Sequence, residues 1–120
     1  MEPKKKLLII TTHGPDNPEL ATLPFIVANG AKVLDLDVSI FLQGPAVFLA
    51  KKGMMENIKC CKWSLDELVK EFIEAGGKIL VCSPCLKERD IKEEDLVEFV
   101  RVAGAVELID LASESIVITY

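Results

Sequence analysis

Along the chain, short apolar runs alternate with longer stretches in which apolar residues recur every three or four positions. The short runs fit buried strands and the longer ones amphipathic helices. Residues 6–13, KLLIITTH, read as a first strand with a solvated basic lead-in. The loop GPDNPEL then opens a helix. Asn17 suits the cap, Pro18 the first helical position, and Asp16 with Glu19 stands at capping-box spacing. This helix is predicted to run to about residue 33, with Leu20, Leu23, Ile26, Val27, Gly30 and Leu34 at helical spacing. Residues 37–43 form the second predicted strand, broken by Gly44-Pro45 before a short helix that Gly53 ends.

Residues 53–63 carry Met54, Met55, Cys60, Cys61 and Trp63 and show no clear period. Ser64 and Glu67 then make a capping box ahead of an amphipathic helix that Gly76-Gly77 stops. Residues 78–82, KILVC, are the third predicted strand, with a helical turn after Pro84. Residues 91–103 are predicted as a further helix, with Asp90 and Glu93 at capping-box spacing. AVELID (105–110) and SIVITY (115–120) are predicted as the last two strands, joined by a short polar link. Strands separated by helices imply an α/β fold. The expected form is a three-layer α/β/α sandwich around a five-stranded, mostly parallel sheet, the last strand being either parallel or an antiparallel edge.

A chain of 120 residues suits a single domain spanning residues 1–120. Half of the residues are hydrophobic, yet no apolar run approaches the roughly 18–20 residues of a membrane span. The excess suggests a sheet covered on both faces, an oligomer interface, or both. The apolar part of the N-terminus is too short and too β-branched for a signal peptide, so a cytoplasmic protein with no membrane partner is expected. A formal net charge of −5 argues against direct nucleic-acid binding. The four cysteines, in a reducing compartment, are then free, catalytic or metal-bound rather than structural disulfides.

In an open parallel sheet the ligand site lies beyond the carboxyl ends of the strands. The predicted elements deliver Thr12, His13 and Gly14 there, with Gln43 and Gly44, with Cys82, Ser83 and Cys85, and with Asp110. Cys82 stands at a strand-to-helix junction, where free backbone N–H groups favour a thiolate, and Lys87 and Arg89 add positive charge. Against that stands simple packing, because free cysteine is among the most buried residue types. Cys85 either resolves an oxidised or persulfidated Cys82 or faces the core. His13, the only histidine, is a proton donor, a thiolate partner, or a plain loop residue. One of Cys60 and Cys61 with Cys82, Cys85 and His13 would make a tetrahedral zinc set, but one Cys-x-x-Cys alone is a weak signal, and no metal is expected. The Cys60-Cys61 pair reads as part of a semi-exposed loop or an oligomer contact. No Walker loop, Gly-x-Gly-x-x-Gly or Gly-x-Ser-x-Gly occurs. Glu93, Glu94, Asp95 and Glu98 read as a solvated helical face.

LIITTHGPDNPELATLPFIVANGAKVLDLDVSIFLQGPAVFLA (8–50) resembles the opening of DsrE/DsrF-like proteins, with a strand, an Asp-Pro turn, an Ala-rich helix, and a strand ending in Gly before a short helix. VCSPCLKERDI (81–91) resembles their later signature, a cysteine at a strand end followed by a helix with a basic residue, here Arg89. The likeness covers nearly the whole chain. It implies the same three-layer fold, assembly as a homotrimer or homohexamer, and intracellular sulfur trafficking with sulfur-donor and sulfur-acceptor protein partners. It implies no metal or organic cofactor. The family's sulfur-accepting cysteine, which carries a persulfide, falls on Cys82.

The leading expectation is therefore a small sulfur carrier using Cys82, its standing as an enzyme left open. Two rivals remain: a thiol–disulfide redox protein using Cys82 and Cys85, and a non-enzymatic assembly or regulatory subunit whose thiols are incidental. Pro84 is the last proline, so no later cis-proline completes a thioredoxin-like site.

Overall fold

A computed structural model describes residues 4–60 and 62–120. The first strand, β1 (Lys6–Thr11), buries Leu7, Leu8 and Ile9 in succession, as a strand covered on both faces does. The chain turns at Gly14 into α1 (Pro18–Val33). Asn17 caps this helix, its side-chain oxygen accepting the Leu20 N–H at 3.1 Å. Asp16 does not join a box with Glu19; it turns back to Gly14 and His13. The second strand, β2 (Asp37–Leu42), is buried from residue 38 to 42. A 3₁₀ helix, Gly44–Ala50, follows it.

The stretch without a readable period holds a 3₁₀ turn, Met55–Asn57, and an antiparallel hairpin of β3 (Lys59–Cys60) and β4 (Trp63–Ser64). Cys60 is half-buried on β3, while Cys61 lies outside the described residues. The amphipathic α2 (Leu65–Glu74) buries Leu65, Val69 and Phe72. Ser64 precedes it as expected, but its hydroxyl donates to Asp66 instead of receiving a helix N–H. Next come β5 (Lys78–Cys82) and the six-residue α3 (Ser83–Glu88).

Two predicted elements exchange character. Residues 91–103 are not a helix. They form a 3₁₀ turn, Glu93–Asp95, and then β6 (Val100–Ala103). Asp90 cannot start a helix there because its φ of +53° places it in the left-handed region. The turn is closed instead by Lys92 N–H donating to Asp95 Oδ2 at 3.1 Å. AVELID is not a strand but the start of α4 (Ala105–Ser113). Leu108, Leu111 and Ala112 pack against the core at helical spacing, whereas Val106 and Ile109 are 87% and 67% exposed. Apolar residues on both sides of the helix blur its 3.6-residue period into an apparent alternation. Asp110 therefore lies on α4 and not at a strand end.

The last strand, β7 (Ile116–Thr119), pairs parallel with β1. The main sheet of the described residues has five strands, ordered β6-β5-β2-β1-β7, with parallel pairing throughout. The α1 and α2 helices pack together through Phe25 and Phe72, whose ring centroids are 6.1 Å apart at 79°. In-register partners share a face, so Ser39, Leu80 and Arg101 point the same way. The α4 helix lies over that face. Its Leu111 lines a small cavity with Ser39 and Leu80, and its Glu107 pairs with Arg101 at 2.5 Å. The result is a three-layer α/β/α sandwich. The central strands β1, β2 and β5 are the most buried.

Candidate functional site

The order β5-β2-β1 brings the three loops that follow these strands side by side. Gln43, just past β2, donates its N–H to Thr11 O at 3.0 Å, tying the β2 exit to β1. Gly14 is buried against the neighbouring loop. A Cβ on it would stand 2.5 Å from Pro45 O and 3.3 Å from Ala46 Cα. Gly44 takes a φ of +54°, open to glycine at little cost. In that conformation its N–H donates to Cys85 Sγ at 3.3 Å. A backbone group at the end of β2 thus reaches the second cysteine of the Cys-x-x-Cys that follows β5.

Cys82, the last residue of β5, is 6% exposed, whereas Cys85, one turn into α3, is only partly buried. The two sulfurs communicate. Burial pushes the Cys82 thiol up from its ordinary range, and a hydrogen bond to the Cys85 side chain pushes the same way. The Cys85 backbone N–H and the charge of Arg89 pull in the opposite direction without prevailing. Burial and the Cys85 side chain thus act against the thiolate that the helix start favours. The strand-to-helix junction lies where the sequence places it, with α3 six residues long. Cys82 and Cys85 are both free thiols.

Arg89 closes the site from the far end of α3. Its Nη1 donates to Cys85 O at 3.1 Å, and its guanidinium lies 5.9 Å from the centre of the Phe48 ring. Phe48 belongs to the 3₁₀ helix after β2, so the β2 and β5 exits are joined twice. Ser83 is partly buried at the start of α3. The structure therefore brings together Gly44, Cys82, Ser83, Cys85 and Arg89.

Thr12 and His13 form the neighbouring part of the rim. Thr12 donates N–H and Oγ1 to Tyr120 O at 3.0 and 2.9 Å, so its polar groups are spent on joining β1 to β7. His13 Nδ1 sits 2.8 Å from Asp16 Oδ2, and Asp16 Oδ1 accepts the Gly14 N–H at 2.7 Å. An ionised carboxylate only accepts, so Nδ1 carries the hydrogen and Nε2 is left as the basic nitrogen. The His13 contact, followed by the Gly14 N–H, holds the Asp16 carboxyl below its usual range. Among the described residues no group of three or more His, Cys, Asp and Glu side chains converges as a metal site.

A model of the DsrE/DsrF-like family matches residues 5–120. This chain belongs to the DsrE/DsrF-like family. It is 36% identical over 110 residues to the uncharacterized protein MJ0989 of Methanocaldococcus jannaschii, an alignment covering 92% of this chain and 94% of that protein. It is 32% identical over 109 residues to the uncharacterized protein MK0008 of Methanopyrus kandleri, covering 91% and 88% respectively. Among solved structures, the ychN protein of E. coli superposes with a TM-score of 0.75 over 98% of this chain and all of that one. At 16% identity that likeness is one of fold. No helix among the described residues is long and apolar enough to cross a membrane.

Two residues of this site and one bond within it escape a reading of the sequence. Asp16 looks like a helix-capping residue, yet its carboxylate serves His13 and Gly14. Phe48 looks like core, yet it carries Arg89. The Gly44–Cys85 bond joins residues 41 positions apart. Only the adjacency of β2 and β5 brings them together, and neither strand's own sequence encodes that pairing.

Proposed function

We propose that this protein is a small sulfur carrier whose Cys82–Cys85 pair accepts a sulfane sulfur and holds it as a persulfide on Cys82. The observation that carries the reading is the placement of both thiols, Cys82 at the end of β5 and Cys85 one turn on, at the carboxyl end of the central strands, with the Gly44 N–H directed at Cys85 sulfur. The net reaction is thiol plus donor persulfide, R–S–SH, giving Cys82–S–SH and R–SH. One sulfur–sulfur bond forms, one breaks, and the donor thiol keeps a proton. Burial then shields the loaded sulfur from water and small thiols. Delivery repeats the exchange with an acceptor thiol. Donor and acceptor are sulfur-handling proteins or small persulfides. His13, with Asp16 behind it, stands on the rim as a proton carrier for this exchange. Thr12, Gly14, Gln43, Gly44, Ser83 and Arg89 frame the entry.

Incubation of the full chain with a low-molecular-weight persulfide tests this. Intact mass should rise by about 32 Da, one sulfur atom, and return after dithiothreitol. The doubly substituted Cys82→Ser/Cys85→Ser protein should gain nothing. No gain by the native protein, or equal gain by the double variant, overturns the proposal.

We also infer a homo-oligomer, a trimer or hexamer of cytoplasmic type. Its support is the apolar surface on α4 and β7, where Val106, Ile109 and Ile116 are 87%, 67% and 57% exposed. Sedimentation as a monomer at micromolar concentration would remove that support.

The Cys-x-x-Cys spacing at the β5 exit also favours a second reading, in which Cys82 and Cys85 cycle as a disulfide. Catalysed insulin reduction by dithiothreitol, absent in Cys85→Ser, would establish it over the carrier.

A further inference from the structure

The two thiols are unequal in a way that assigns them different steps. Cys82 closes β5 and is almost wholly enclosed, packed with the core cluster. Cys85 projects from the first turn of α3, partly open to solvent, and receives the Gly44 N–H on its sulfur. An incoming persulfide meets the open thiol first. A sulfur that attacks or leaves must also carry negative charge, and a fixed N–H donor is what such a sulfur needs. Cys85 has that donor from a different strand's exit. Cys82, by contrast, sits where burial favours the neutral thiol.

We propose that Cys85 is the entry nucleophile and Cys82 the storage site, so that sulfur moves inward along the Cys-x-x-Cys. This deepens the carrier reading and rests on it for the sulfur itself. In the first step Cys85 thiolate attacks the outer sulfur of R–S–SH. A Cys85–sulfur bond forms, the donor's sulfur–sulfur bond breaks, and R–S⁻ leaves with the electron pair. In the second step Cys82 gives up its proton as it attacks the outer sulfur of Cys85–S–SH, so that it needs no standing thiolate. The Cys82–S–SH bond forms, Cys85 leaves as a thiolate against the Gly44 N–H, and the Cys82 proton passes to it. Atoms and charge balance in both steps, and no outside oxidant or reductant is consumed. The order is the reverse of the one in which the strand-end cysteine takes up sulfur directly. Arg89 fixes this geometry by holding Cys85 O, which anchors the turn that presents the sulfur.

The test has two arms, both on the full chain. In the first, brief iodoacetamide treatment is followed by trypsin. The peptide of residues 79–87 contains both thiols, and fragmentation at Pro84 separates them. Cys85 should be alkylated about tenfold or more ahead of Cys82. In the second, sulfur uptake from a low-molecular-weight persulfide is timed. Cys82→Ser should load at the native rate with the sulfur on Cys85, and Cys85→Ser should load at least about tenfold more slowly. Cys82 alkylated first, or Cys85→Ser loading at the native rate, overturns the order. If the native protein takes up no sulfur, the carrier reading fails, and the alkylation order alone then upholds or overturns the assignment of Cys85 as nucleophile.

Discussion

Replacing Gly14 by alanine probes the junction between the β1 and β2 exits on which the thiol site depends. The added Cβ would stand 2.5 Å from Pro45 O and 3.2 Å from its carbonyl carbon. A carbon–oxygen contact relaxes at about 3.3 Å, so the two backbones must part by roughly 0.8 Å. Both neighbours are backbone, and no flexible side chain can yield. Overpacking of this kind costs about 1–3 kcal/mol. At roughly 4 °C per kcal/mol for a domain of this size, Tm should fall by about 4–12 °C. Pro45 follows Gly44, so the same displacement draws the Gly44 N–H from Cys85, to which it now stands at 3.3 Å. Cys85 alkylation should slow even well below Tm. Gly30→Ala is the control, because its Cβ meets nothing within 4 Å on α1 and it should raise stability by about 0.5–1 kcal/mol. Calorimetry and timed alkylation of the two variants make the comparison. A Gly14→Ala protein with native Tm and native Cys85 reactivity would refute the reasoning.

Other consequences follow from single groups. Asn17→Ala removes the α1 cap and should lower unfolding free energy by about 1 kcal/mol in urea titration. Cys82 holds its proton more tightly folded than unfolded. Its contribution is therefore complete below its ordinary pKa of 9.0 and is lost as pH rises from there through the folded value. Urea midpoints should fall above that pH in the native protein and fall less in Cys82→Ser. Asp16 is depressed below its ordinary 3.8, so its contribution is present above that pH and lost as pH falls through the folded value. Asp16→Asn should flatten the acid limb, and it should also change the pH profile of sulfur loading if His13 carries the proton.

Much of the architecture is legible in the residues. Short, mostly apolar runs mark β1, β2 and β5, and Asn17-Pro18 and Ser64 mark the starts of α1 and α2. Those elements carry the site, which is why Cys82, Gly44 and Gly14 come out on one rim. The C-terminal third reads less well. Val100 and Val102 are β-branched and alternate in β6, but Leu96, Phe99 and Val100 also fit a helix. The tertiary context decides, because the open edge of β5 takes up residues 100–103. The burial of Cys82 is illegible for a related reason. Sequence places it at a strand end, but only packing reveals how little water reaches it.

The central claim is that one pair of thiols handles sulfur and that Cys82 is its resting place. The most direct measurement is tandem mass spectrometry, under non-reducing conditions, of protein loaded to completion with a small persulfide. The extra sulfur should sit in the peptide of residues 79–87, on Cys82. Sulfur found instead in the peptide of residues 60–62, or in neither, would contradict the account.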